Sequence, residues 1–551
     1  MSSDFNLLDE PWILVIDKNG EVAELSLKEV LLKAHNYVSL AGESPAQDVA
    51  ILRLLIAVVH TVFYRMDENG NDSELEDEEE ALDRWKELWD RRKSGLPGSP
   101  IEEYLNEWHG RFNLFDEKYP FYQAPEAEKR GTLYSVAKLN GQILQSGNKL
   151  RIFSNRTEET RNSLTFEEAA RWLVYLQGFD DNACTQATGI DKHPTGMDDE
   201  KVSAQVGWLG NLGIIYAVGD SLLETIILNL TFLRYSELYD YPSPCWENNP
   251  ESEGYHYTTP DNIPELFTTQ SRRICLIKNG DCVTNYREYV GVLLKKEDIF
   301  TEPMTIWKKV QKSKYSPQPH DPSKKLWRDF SSLVVEQNRI PGVVYWLGDL
   351  KKKCYLTSDA ICFASVSVLY DEKRFSVKDI ISDSLYFHAS LLGNLGKVWQ
   401  KLIEDQIKLC DNIAEQLRLL GNRVCLASGR RSSKKEKREF PEFDDSIVEG
   451  KRAKEQFYFR IDNEFRRWLV SLRAEQESVE RDDLCNKWNE TAIRIARELG
   501  SKLVEEAGFV ALTGQWIDVK RGNQINKEYY SAPKAYNIFN AELKKLSKRG
   551  G

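Results

Sequence analysis

Short apolar runs separated by turn residues open the chain, and helical periodicities close it. The run "PWILVI" at 11–16 precedes Asn19-Gly20 and then "EVAEL", the pattern of two strands joined by a tight turn. In "SLKE" at 26–29, Ser26 and Glu29 form a capping box, so a helix follows to about residue 37. The stretch "AQDVAILRLLIAVVHTVFYR" at 46–65 is apolar on nearly every side, which predicts a buried helix. Between 81 and 200 the pattern is helix and loop, with amphipathic helices in "RWKELWDR", "IEEYLNEWHGRF" and "LTFEEAARWLVYLQGF". The chain turns irregular over 181–213, and from 214 to 375 short β-type runs alternate with turns, predicting a mixed sheet region. There "GVVYWLGDLKKKCYL" at 342–356 reads as an apolar strand, a tight turn and three adjacent lysines, Lys351, Lys352 and Lys353.

Beyond residue 375 the period lengthens. The stretch 384–420 reads as one long periodic segment, followed by the basic linker "GRRSSKKEKREFPEF" and three more helices. Phe465, Trp468, Leu469 and Leu472 fall at i, i+3, i+4 and i+7, and Trp488, Ala492, Ile495 and Leu499 form a second stripe. Gly508 suits a C-cap and Ser531 an N-cap. Four amphipathic helices predict a four-helix bundle. The expected fold is α+β: a mixed α/β domain over 1–375 and a C-terminal bundle over 376–551.

Composition changes this picture little. The net charge of -12 argues weakly against wholesale coating of nucleic acid. Part of the acidic excess is the block "DENGNDSELEDEEE" at 67–80, whereas 295–328 holds nine Lys or Arg against four acids. No unbroken apolar run reaches membrane-spanning length, the N-terminus lacks a secretory pattern, and the nine cysteines show no framework spacing. These features lead us to expect no membrane span and a cytoplasmic location.

A catalytic constellation is hard to find. None of the seven histidines sits in His-Glu-x-x-His, and Cys-x-x-Cys, Walker A and Gly-x-Ser-x-Gly are absent. Cys245, Cys275 and Cys282 have the wrong spacing for a zinc knuckle and read as core or loop thiols. "GWLGNLG" at 207–213 is no nucleotide fingerprint and reads as close backbone approach or positive φ. No cofactor and no metal are expected. The binding elements are the basic region 291–353 and the irregular loop 181–213. The lysines at 351–353 are either a solvated edge or a contact to a polyanion.

At "NLLDEPWILV" (6–15) the chain resembles the CasA family, the large subunit of the type I-E CRISPR surveillance complex Cascade. The resemblance continues through "YPFYQ" (119–123), "GWLGNLG", "AKEQFYFRIDNEFRRWLVSL" and "SAPKAYNIFNAELKKL". It implies a non-catalytic subunit that recognises the protospacer-adjacent motif (PAM) in double-stranded DNA. It also implies that the subunit wedges the duplex open for the guide RNA, joins the other Cascade subunits and docks a helicase–nuclease. By the same resemblance Phe153 and Asn155 in "RIFSNR" lie near the guide RNA. Lys296, or Lys295 one register away, looks like a minor-groove finger, and Lys352 and Lys353 fall where the family has a wedge hairpin. Before Gly207 the family's glycine-rich loop is replaced by "MDDEKVSAQ", in which Lys201 is the polar substitute. The competing readings are an independent nuclease, which would need clustered carboxylates for a metal, and a purely structural assembly subunit.

Overall fold

The computed structural model describes residues 5–141, 143–144, 149–150, 156–157, 160–181, 205–234, 236–248, 256–294, 302–311, 314–335, 339–429, 443, 447–521 and 524–549. The protein is mixed α+β and divides into two compact units. The first holds Met1–Leu326 and Ser332–Leu385, the second Trp327–Ser331 and Tyr386–Gly551. The division thus falls at 385/386 rather than at 375/376, which lies in the turn between two long strands, Ala360–Tyr370 and Val377–His388.

In the first unit, Ile13–Asp17 pairs antiparallel with Val22–Leu25 across a turn in which Gly20 takes φ 84°. Ser26 and Glu29 form the capping box of the helix Leu27–Lys33. The helix Pro45–Arg65 is the core of this unit. It is long and apolar enough to cross a bilayer, yet its side chains are buried against neighbours such as the helix Phe166–Phe179. Ser44 caps it, with Pro45 in its first turn. Two three-stranded sheets position the candidate site. One orders Arg272–Asn279, Cys282–Val290 and Thr132–Ser135. The other orders Val377–His388, Ala360–Tyr370 and Ile214–Val218, with Val366 opposite Ile214.

In the second unit the helix Lys397–Ala427 packs against Val448–Val470, Ser478–Glu505 and Ala532–Arg549. Rings interlock where they meet: Trp468 lies 5.7 Å from Trp488, and Phe465 lies 5.1 Å from Trp488 and 4.2 Å from Trp327. Three expectations change. The segment 384–420 is not one helix: strand runs to His388 and two 3-10 turns precede Lys397. Gly508 caps no C-terminus but precedes the short helix Phe509–Thr513. A hairpin, Gln515–Arg521 with Gln524–Tyr530, interrupts the helices.

Candidate nucleic-acid interface

The stretch read as a lysine-tipped hairpin is a helix, Gly342–Lys352. Val343, Trp346, Leu347 and Leu350 are buried and fall at i, i+3, i+4 and i+7, a helical stripe hidden inside a continuous apolar run. Lys351 and Lys352 occupy its last turn and Lys353 its C-cap, where cations complement the carbonyl end of the helix dipole. Lys351 Nζ donates to Ser358 O at 3.0 Å and pairs with Asp359 at 3.4 Å. Lys353 pairs with Asp349 at 3.0 Å and with Glu78. Both are held by partners within the fold, and the hairpin expected to carry Lys352 and Lys353 is a helix end instead. Lys352 is exposed and has no ion-pair partner among the described residues.

True hairpins lie elsewhere. Trp307–Gln311 pairs with Lys314–Pro317, with Lys308 opposite Ser316 and Lys309 opposite Tyr315. Trp307 is buried beneath the Arg339 guanidinium, 4.5 Å from the ring centroid, and anchors the strand. Lys308 and Lys309 are exposed. The second hairpin joins Ala360–Tyr370 to Val377–His388. In its turn Asp371 accepts from Phe375 N at 2.8 Å and Ser376 Oγ at 3.1 Å, and Arg374 takes φ 58°. Arg374 Nη1 donates to Asn211 Oδ1 at 2.8 Å, tying the turn to "GWLGNLG". The glycines there are needed for space. A Cβ on Gly207 would stand 2.4 Å from Gly178 O, and one on Gly210 would stand 2.3 Å from the Tyr370 hydroxyl.

A buried ionic cluster holds the chain on both sides of 182–204. Arg272, fully buried, bonds the Asp180 carboxylate and donates to Asp181 O at 2.9 Å and Gln205 O at 2.7 Å. Gly207 N donates to Asp180 O at 2.9 Å. Lys138 pairs with Glu288 at 2.7 Å. Burial and the neighbouring Asp180 push Glu288 up to about 7, while the carboxylates around Lys138 hold its ammonium well above the ordinary range against burial. Sequence reasoning missed this cluster. Its one legible signal is Arg272-Arg273 at the start of the strand Arg272–Asn279, ahead of the apolar run at 274–277.

Lys201, Lys295, Lys296, Phe153 and Asn155 lie outside the described residues. Of the predicted contacts, the structure therefore places Lys351, Lys352 and Lys353, and it brings them together on one helix end.

Residues 6–499 match the family described as CRISPR-associated protein Cse1. A curated relative, CRISPR-associated protein CasA/Cse1 of Thermus thermophilus, is 30% identical over 338 residues. That match takes in 60% of this chain, and the chain spans only 61% of the relative's length. The crystal structure of Thermobifida fusca Cse1 is similar with a TM-score of 0.77 at 26% identity, over 99% of this chain and 98% of that one. A structure described as a CRISPR RNA-guided surveillance complex includes a chain of the same fold, with a TM-score of 0.68 at 14% identity over 98% of this chain and 99% of that one. The chain belongs to the CasA/Cse1 family of CRISPR-associated proteins.

Proposed function

We propose that this chain is the large, non-catalytic subunit of a cytoplasmic RNA-guided surveillance complex of the Cascade type. In this reading it recognises the PAM in double-stranded DNA, helps to open the duplex for the guide RNA and docks a helicase–nuclease. The observation that carries the reading is family membership over 6–499, joined to a shared fold with a chain of a CRISPR RNA-guided surveillance complex. The four long helices of the second unit are read as its bundle.

Exposed cations supply phosphate contacts, which dominate affinity for nucleic acid. We assign these to Lys308, Lys309 and Lys352, with Lys201, Lys295 and Lys296 as further DNA contacts and Phe153 and Asn155 facing the guide. The duplex-opening element is the hairpin whose turn carries Lys373 and Arg374, since a rigid paired ribbon can be driven between strands and a buried helix cannot. The test is reconstitution. The purified chain should join guide-RNA-bound Cascade partners at a fixed ratio and should leave DNA and RNA intact in magnesium or manganese. Metal-dependent cleavage abolished by one carboxylate substitution would favour a nuclease. An assembly that opens duplex equally well without the chain would leave it a structural subunit.

A further inference from the structure

Between the first turns of the helix Pro45–Arg65 and the strand Ile214–Val218, the first unit leaves a cleft of about 500 Å³. The helix lines it with Pro45, Asp48, Val49 and Leu52, at i, i+3, i+4 and i+7. The strand lines it with Tyr216 and Val218, two residues apart on one face. Charge in the cleft has one sign. Among the described residues no Lys, Arg or His lines it, whereas two carboxylates do, Asp48 and Asp383. Asp383 accepts from Leu326 N and Ser384 N, each at 2.8 Å.

Asp48 is less well served. Its Oδ1 accepts from Gly42 N at 2.7 Å, a close approach that needs glycine, since a Cβ on Gly42 would stand 2.7 Å from that oxygen. Its Oδ2 makes no hydrogen bond, and no cation pairs with the carboxylate among the described residues. Burial raises the Asp48 carboxyl to about 6, so at neutral pH an ionised group stands in the cleft wall without a countercharge. Tyr216 lies within its field. After burial, the Asp48 charge is the largest cause that lifts the Tyr216 phenol above its ordinary range. The Tyr216 hydroxyl has no hydrogen-bond partner among the described residues. Both residues are half-buried, and neither Asp48 Oδ2 nor the Tyr216 hydroxyl is sealed from solvent, so a ligand can reach both.

A ligand for this cleft needs a positive charge with hydrogen-bond donors, and an apolar body for Val49, Leu52 and Val218. An anion is repelled. A hard divalent cation is not served either, because no third ligating side chain joins a metal cluster among the described residues. We propose that the cleft binds a protonated aliphatic amine, its ammonium donating to Asp48 Oδ2 and the Tyr216 hydroxyl and its methylene stem lying on the apolar wall. Asp383 adds to the negative field that draws such a cation in. The inference rests on residues of this unit alone and is independent of the function proposed above.

Calorimetric titration of the full-length chain at neutral pH tests it, using butylamine, diaminobutane and butanediol, the last a neutral molecule of similar length. At least one of the two amines should bind saturably, and butanediol should not. Asp48→Asn should weaken amine binding at least about tenfold. It should not lower the unfolding midpoint of the unliganded chain, because it removes a charge that burial disfavours and keeps the acceptor for Gly42 N. Tyr216→Phe should weaken binding about three- to tenfold and leave the midpoint in place. No saturable binding by either amine overturns the proposal, and so does butanediol binding as tightly as the amines. An Asp48→Asn variant that keeps full affinity, or one that loses stability in the absence of amine, also overturns it, since the carboxylate would then serve the fold alone.

Discussion

Arg53 and Glu302 meet in the interior of the first unit through bonds of 2.8 and 2.9 Å. Trp208 Nε1 and Met304 N also donate to the glutamate, and the guanidinium lies 3.8 Å from the Phe267 ring centroid. Such a pair adds little net stability, but removing one partner strands the other in the interior. Arg53→Met should therefore cost about 3–5 kcal/mol, and adding Glu302→Gln should recover part of the loss, both read from urea midpoints. His60 sets a pH dependence. Burial pushes its pKa down to about 3, and its Nε2 lies 3.2 Å from Thr231 O. The unfolded chain titrates near the ordinary value of about 6.5. Between these values the unfolded state binds the extra proton, so stability falls as pH falls, by up to about 1.4 kcal/mol per pH unit. Glu288 acts in the opposite sense. Burial and the neighbouring Asp180 raise its folded pKa, so its contribution is lost as pH rises above the ordinary carboxylate range. Urea midpoints across the acid range should show that His60→Gln flattens the acid limb and leaves the neutral limb in place.

The helix Gly342–Lys352 separates lysines that the sequence alone treats alike. Lys351 and Lys353 are held by carboxylates of the fold, whereas Lys352, Lys308 and Lys309 are exposed. Alanine at Lys308, Lys309 or Lys352 should weaken target binding by the assembled complex. Removal of a single lysine–phosphate pairing should reduce the log–log salt slope by about 0.9, and alanine at Lys351 or Lys353 should leave that slope unchanged. Salt titrations of the single variants check both halves. In the second unit, Trp468 lies between Trp399 at 6.2 Å and Trp488 at 5.7 Å. Trp468→Ala should cost about 3–5 kcal/mol through reduced burial and a cavity, seen as a lower unfolding midpoint for that unit. The capping box at Ser26 and the buried helix Pro45–Arg65 were legible because cap chemistry and all-round apolarity are local signals. The helix at 342–352 was not, because its run of valine and aromatics satisfies strand and helix alike. The hairpin 515–530 was overlooked although Gly522-Asn523 is a turn signal, since long helical periods flank it.

Over the whole molecule the two-part character was legible, because the hydrophobic period lengthens near the point where the second unit begins. The exact division was not. It depends on Trp327–Ser331, where Trp327 stacks on Phe465 and donates to Asp462 at 2.8 Å, a contact between residues far apart in sequence. The candidate interface was legible only as charge. Its supporting cluster of Lys138, Asp180, Arg272 and Glu288 is drawn from distant segments that no local pattern links. The function proposed above turns on PAM-dependent entry into duplex DNA. The most direct measurement is binding of guide-loaded Cascade, assembled with and without this chain, to closed duplexes carrying a randomised PAM and to pre-opened bubbles. With the chain present, a restricted set of PAM sequences should be enriched among bound duplexes. Without it, binding of closed duplexes should fail while bubbles are still bound. Equal binding of closed duplexes by both assemblies, with the same PAM preference, would contradict the account.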